Sequence, residues 1–170
     1  MPGDLLDDYS IAFTSDEARM IRRPHDDALV ITLPIANCEV KRILVDNGSF
    51  ANVLFLSALK EMEVDKSQIE RTDVILMGFN GESTQAAGMI RLPVYTAGEN
   101  RMTNFLVMDC PSSSNVILGR PWIHDMRAVP STYHQIIRFP TRRGIREIRG
   151  DQVVARSCYS IALRLSTARD

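Results

Sequence analysis

One stretch constrains the fold of this chain more than any other: Arg42-Ile43-Leu44-Val45-Asp46-Asn47-Gly48-Ser49-Phe50-Ala51-Asn52-Val53-Leu54-Phe55. An apolar run drives into an acidic turn, and a second apolar run leaves it. Three apolar residues directly before Asp46 predict a strand that is buried at its end. A carboxylate there would sit at the floor of a core, where ionisation is costly without partners. Gly48 allows close backbone approach or an unusual φ, and Ser49 can donate a hydrogen bond to a carboxylate oxygen. A carboxylate on a tight glycine turn is a candidate for acid–base chemistry. A plainer reading competes, because Asn-Gly is a strong hairpin signal and Asp46–Ser49 also fits a type I′ turn. Continuous apolar residues on both sides argue against an exposed hairpin, which needs one polar face.

The pattern around this stretch is mainly β. Residues 1–26 are acidic and irregular, with Thr14 and Glu17 spaced as a capping box for a short helix over Ser15–Ile21 that Pro24 ends. Ala28–Leu33 is a strand candidate, Pro34–Asn37 a turn, and Cys38–Val45 the strand that delivers Asp46. A short strand Ala51–Phe55 follows, then a small helix Ala58–Met62 capped by Ser57. Val74–Phe79 and Ser83–Val94 flank Asn80-Gly81, the right setting for a two-residue hairpin. Asn104–Met108 reads as a buried strand and Pro111–Asn115 as a loop. Val116-Ile117-Leu118-Gly119 leads into a helix that starts at Pro121 and buries Trp122, Ile123 and Met126. Thr132–His134 and Ile136–Phe139 are strand candidates. An amphipathic helix capped by Asp151 is predicted over about Gln152–Ser166.

The segment Val45-Asp46-Asn47-Gly48-Ser49 resembles the Asp-Thr/Ser-Gly-Ser active-site loop of aspartic proteases. The string from there through Leu59 is similar to the protease segment of plant gypsy-type LTR retrotransposon polyproteins. Gly78-Phe79-Asn80-Gly81, Ile117-Leu118-Gly119-Arg120-Pro121-Trp122 and Val129-Pro130-Ser131-Thr132-Tyr133-His134 follow in matching order and spacing. The resemblance runs from about His25 to Tyr159. It departs at Asn47, where the family carries Thr or Ser.

The resemblance implies a retropepsin-like acid-protease half-barrel over 27–140. An arm or linker over 1–26 would precede it, and a basic turn with a C-terminal helix over 141–170 would follow. Asp46 would be catalytic, and Asn47, Gly48 and Ser49 would support its loop. Met77, Gly78, Phe79, Asn80 and Gly81 would form a flap that closes over substrate. Ile117, Leu118 and Gly119 would pass behind the active site. Only one Asp-X-Gly-Ser turn occurs, so a second carboxylate must come from a second copy across a C2 axis. A homodimer acting on an extended peptide or polyprotein follows. A non-catalytic dimerisation or peptide-binding module on the same fold is the alternative, kept open by Asn47.

Composition narrows the rest. With 45% hydrophobic residues, the 170-residue chain can build a core of its own. Its formal net charge of −1 provides no global field for nucleic acid or an anionic membrane. Arg138, Arg142, Arg143, Arg146 and Arg149 form a local cluster without aromatic interleaving, which reads as a solvated hairpin face rather than an RNA site. No apolar run is long enough to span a bilayer. Met1-Pro2-Gly3-Asp4 lacks the start of a secretory leader. Cys38, Cys110 and Cys158 are odd in number and widely spaced, which suits a reducing interior. The expected location is therefore cytoplasmic, and by resemblance within virus-like particles. His25, His124 and His134 are scattered and read as structural or surface residues. No metal and no cofactor is expected. Ser49, Ser57 and Ser83 show no triad pattern, the cysteines no thiol-protease signature, and no phosphate-binding glycine loop occurs.

Overall fold

The apolar alternation of the first third becomes a hairpin. In the computed structural model, which describes residues 9–77 and 83–158, β1 (Val30–Ile35) pairs antiparallel with β2 (Cys38–Val45). Its turn is Ala36-Asn37, with Ala36 at a φ of 54°. The turn expected from Pro34 onward thus starts later. Pro34 stays in β1 opposite Glu39. On the other side, β1 meets its neighbour β6 (Gly88–Thr96) only at Ile35–Val94. A residue without an N–H is tolerated where a strand is incompletely paired.

Six strands close a barrel in the order β1-β2-β8-β3-β7-β6, where β3 is Val53–Phe55, β7 Glu99–Met108 and β8 Val116–Leu118. β6 and β7 form a long hairpin from Gly88–Val107 to Thr96–Glu99. Two pairings are parallel, β2 with β8 and β3 with β7, while β3 and β8 run antiparallel. β8 is therefore wedged between the strand that enters the acidic turn and the strand that leaves it. Ile31, Ile43, Leu54, Phe105, Leu118 and Trp122 meet inside. A second apolar cluster, with Val53, Phe55, Leu106 and Met108, lies under Val74 and Leu76.

Several elements differ from expectation in extent. β3 omits Ala51 and Asn52, whose polar groups are used in the loop before it. Helix α1 (Leu56–Glu61) starts directly from Phe55 and has no side-chain cap. Ser57 is inside it and exposed, because burial of Ala58 and Leu59 decides where the helix forms. The first helix is only a 3-10 turn, Ser15–Ala18. Its Thr14–Glu17 bonds are nonetheless present, with Thr14 N and Oγ1 both 3.1 Å from Glu17 Oε1. β4 (Ile75–Met77) pairs with β5 (Ser83–Gln85). The chain then breaks before β6, because Gly88 crosses the 69–70 segment closely. A Cβ there would stand 2.6 Å from the Glu70 carbonyl oxygen.

The C-terminal part is a three-stranded sheet of β9 (Val129–Ser131), β10 (Ile136–Thr141) and β11 (Gly144–Arg149). Thr132–His134, read as a strand, belongs to the turn between β9 and β10. Gln135, at a φ of 56° and buried, closes that turn through its side-chain amide. Ile137 and Phe139 join the main core. Arg138 points to the N-terminal arm, where it bonds the Ala12 carbonyl and Glu17 and lies over the Phe13 ring. Helix α3 occupies 152–158, with Asp151 Oδ1 accepting from Val153 N at 3.0 Å and Val154 N at 3.1 Å. The rest of the helix expected to Ser166 lies outside the described residues.

Candidate active site

Asp46 is the first residue after β2. Its N–H donates to the Leu118 carbonyl at 2.9 Å, which extends the β2–β8 ladder by one bond. Its Oδ1 accepts from Gly48 N at 2.8 Å, and its carbonyl accepts from Ser49 N at 3.2 Å. The carboxylate is half-buried rather than set in the core floor, because the turn lifts it out of the barrel. Asn47 and Gly48 are exposed. Gly48 is needed for space: a Cβ there would be 3.1 Å from Asp46 Oδ1. The local turn bonds leave the carboxylate facing solvent with one main-chain donor on it.

Ser49 corrects an expectation. Its Oγ donates to the Ala51 carbonyl at 2.7 Å instead of to Asp46. An acceptor two residues ahead is the local bond that serine favours in a turn. The Ser49 carbonyl accepts from Arg120 N at 2.9 Å. The residue therefore braces the loop against the strand behind it.

That strand ends in Ile117-Leu118-Gly119. Leu44 stands opposite Ile117 and Val45 opposite Leu118. Gly119 lies so close to the loop that a Cβ would fall 2.3 Å from the Ala51 carbonyl oxygen and 2.7 Å from that of Ser49. Any other residue must move one backbone or the other. Helix α2 (Arg120–Asp125) begins immediately, with Pro121 in its first turn and Trp122 and Ile123 buried.

Asn52 escaped the sequence reading. It is buried, with 4% of its surface exposed. Its Oδ1 accepts from Gly119 N at 2.9 Å and its Nδ2 donates to the Asn104 carbonyl at 3.3 Å. One side chain thus joins the catalytic loop, β8 and β7. The signal was available: an asparagine entering the apolar run Val53-Leu54-Phe55 must find partners for its amide if buried.

The flap positions are only partly visible. Met77 ends β4 opposite Ser83, while Gly78, Phe79, Asn80 and Gly81 lie outside the described residues. Among the described residues no three His, Cys, Asp or Glu side chains gather as a metal site would require. Ser131 Oγ and His134 Nδ1 are 2.7 Å apart. Their bond closes the β9–β10 turn, and the imidazole is stacked on Phe13 at 5.2 Å. The perturbed carboxyl is remote from the barrel turn. Burial pushes Asp27 upward, but donors from Arg156 and Gln152, with the Arg156 charge, outweigh it and hold Asp27 below its ordinary value.

Solved structures with the same architecture are distant in sequence. The retroviral protease-like domain of Ddi1 from Leishmania major superposes with a TM-score of 0.59 at 14% identity, over 75% of this chain and 96% of that one. The EIAV protease complexed with the inhibitor HBY-793 gives 0.54 at 18% identity, over 65% and 99%. No protein-family model and no curated protein matches the chain. The fold is the mainly β, retropepsin-like one.

Proposed function

We propose that this chain is an aspartic endopeptidase that works as a homodimer, with Asp46 of each copy forming the catalytic pair. The observation that carries the reading is Asp46 itself, half-buried on a loop that Gly119, Asn52 and Leu118 hold from behind. Peptide hydrolysis without metal or nucleophilic side chain can use two carboxylates and one water. Like charges a few Å apart do not ionise together easily, so the pair shares one proton. The ionised member takes a proton from the attacking water, and the protonated member donates to the carbonyl oxygen. The substrate is an extended peptide in a polyprotein, and Met77 to Gly81 close over it. The catalytic unit is 27–140, and the sequence resemblance supports a plant gypsy-type retrotransposon polyprotein as its source.

The test is cleavage of a peptide library with and without pepstatin, by wild type and by Asp46→Asn, over a dilution series. Asp46→Asn should lower turnover at least about a thousandfold, within the range of acid–base catalysis, and leave the melting temperature close to that of wild type. Specific activity should fall on dilution as the dimer dissociates. Constant specific activity in a proven monomer would defeat the dimer. The exposed Asn47, in place of the family's hydroxyl residue, favours a second reading: a peptide-binding or dimerisation module without turnover. Peptide binding with no cleavage by wild type would select it.

A further inference from the structure

We infer that a second pocket beside the catalytic loop takes a bulky apolar side chain of the peptide and sets a preference several residues from the scissile bond. The inference rests on the peptide-binding part of the proposed function. A depression of about 480 Å³ opens where Phe50 and Ala51 leave the loop. Phe50 and Met102 stand at its edge with 59% and 51% of their surface exposed. Val74 and Met89 supply another wall, and Pro121 and Trp122 come from the first turn of α2. Large apolar side chains left in water around one concavity mark a binding surface more than scattered ones do.

The chemistry of the lining selects the occupant. Methionine and phenylalanine adapt to aliphatic or aromatic guests. The carboxylate on this rim, Asp125, is 3.5 Å from Arg101 and already paired. A charged guest side chain would therefore lose water and find no free counter-charge. Geometry sets the reach. Phe50 is four residues beyond Asp46, so at most about 14 Å of chain separates them. An extended peptide advances about 3.3 Å per residue, which places the guest within about four residues of the cleaved bond. Arg120 N bonds the Ser49 carbonyl at 2.9 Å, so the α2 turn in the pocket and the catalytic loop are one connected unit.

Trp122 is the chain's single tryptophan, so its fluorescence reports on this pocket. The experiment uses tryptophan-free peptides that carry Leu, Phe, Ser or Asp in turn at each position flanking the bond. Wild type, Phe50→Leu and the double variant Phe50→Ser/Met102→Ser are assayed for cleavage and for Trp122 emission. Wild type should favour Leu or Phe over Ser at one outer position by about 10–100-fold in kcat/KM, the scale of apolar pocket discrimination. The double variant should lose that preference and the emission change, and retain its preferences next to the bond. Phe50→Leu should keep most of both. No outer preference and no emission change in wild type would overturn the pocket and leave the endopeptidase standing. An outer preference unaltered in the double variant would also overturn it. An emission change that needs Phe50 and Met102, in a wild type that cleaves nothing, would keep the pocket and overturn the endopeptidase.

Discussion

The loop that carries Asp46 and the sheet under the N-terminal arm are held together by opposite means. Around Asp46 the ties are main-chain or reach main chain: Asp46 N to Leu118 O, Arg120 N to Ser49 O, Leu106 N to Asn52 O and Gly119 N to Asn52 Oδ1, all at 2.8–2.9 Å. Around the arm they are side-chain contacts. Phe13 stacks on His134, Arg138 reaches Glu17, Gln152 bonds Arg22, and Arg156 bonds Asp27. Backbones that touch at a glycine leave no room for adjustment. Long side chains near the surface can swing, and each pair adds little. One region positions reacting atoms, and the other only has to stay attached.

The largest predicted effect strikes the rigid region. Gly119→Ala puts a Cβ 2.3 Å from the Ala51 carbonyl oxygen. It should cost about 3 kcal/mol, the upper end for overpacking, and lower the melting temperature by roughly 6–12 °C for a chain of this size. Calorimetry would check it. A drop below about 2 °C would mean that the loop yields as readily as the arm.

Asn52→Ala comes next. It leaves the Gly119 N–H without its acceptor inside the barrel, at a cost of about 1–3 kcal/mol. Turnover should fall together with stability, since the same bond aligns the loop. Normal turnover in a destabilised protein would separate the brace from the chemistry.

The smallest effect concerns the pliant region and its pH dependence. Asp27 lies below its ordinary value when folded, so its contribution is complete above the unfolded value near about 3.9 and is lost as pH falls through the folded one. Hydrogen exchange at 22–27 and 152–156, corrected for intrinsic rate, should therefore accelerate only below about pH 4. Asp27→Asn should remove that dependence and cost roughly 0.5–1 kcal/mol at neutral pH. Equal acceleration within the barrel would show that the two regions open together.

The same contrast explains what could be read from the sequence. Cys38–Val45 was legible to the residue, because its apolar alternation and the turn after it are local. Gly119 was legible as a motif, though its reason, the 2.3 Å approach to Ala51, depends on a strand far away. Asn52 was passed over because its partners are Gly119 and Asn104. The hydroxyl of Ser49 was assigned to the wrong acceptor, since serine in a turn has several within reach. Thr132–His134 looked like a strand from its side chains, but Gln135 with φ near 56° turns the chain there. The docking of the arm through Phe13, Glu17 and Arg138 has no local signature, because each contact joins segments more than a hundred residues apart.

The wedge of β8 between β2 and β3 also bears on timing during synthesis. Asn52 and Gly119 are 67 residues apart in the chain. At about 5–20 residues per second, a ribosome needs roughly 3–13 s to deliver the second after the first. Through that interval the Asp46 turn has no strand behind it. A nascent chain thus completes its own barrel before its catalytic loop is shaped, and that order separates translation of this segment from any cleavage it performs.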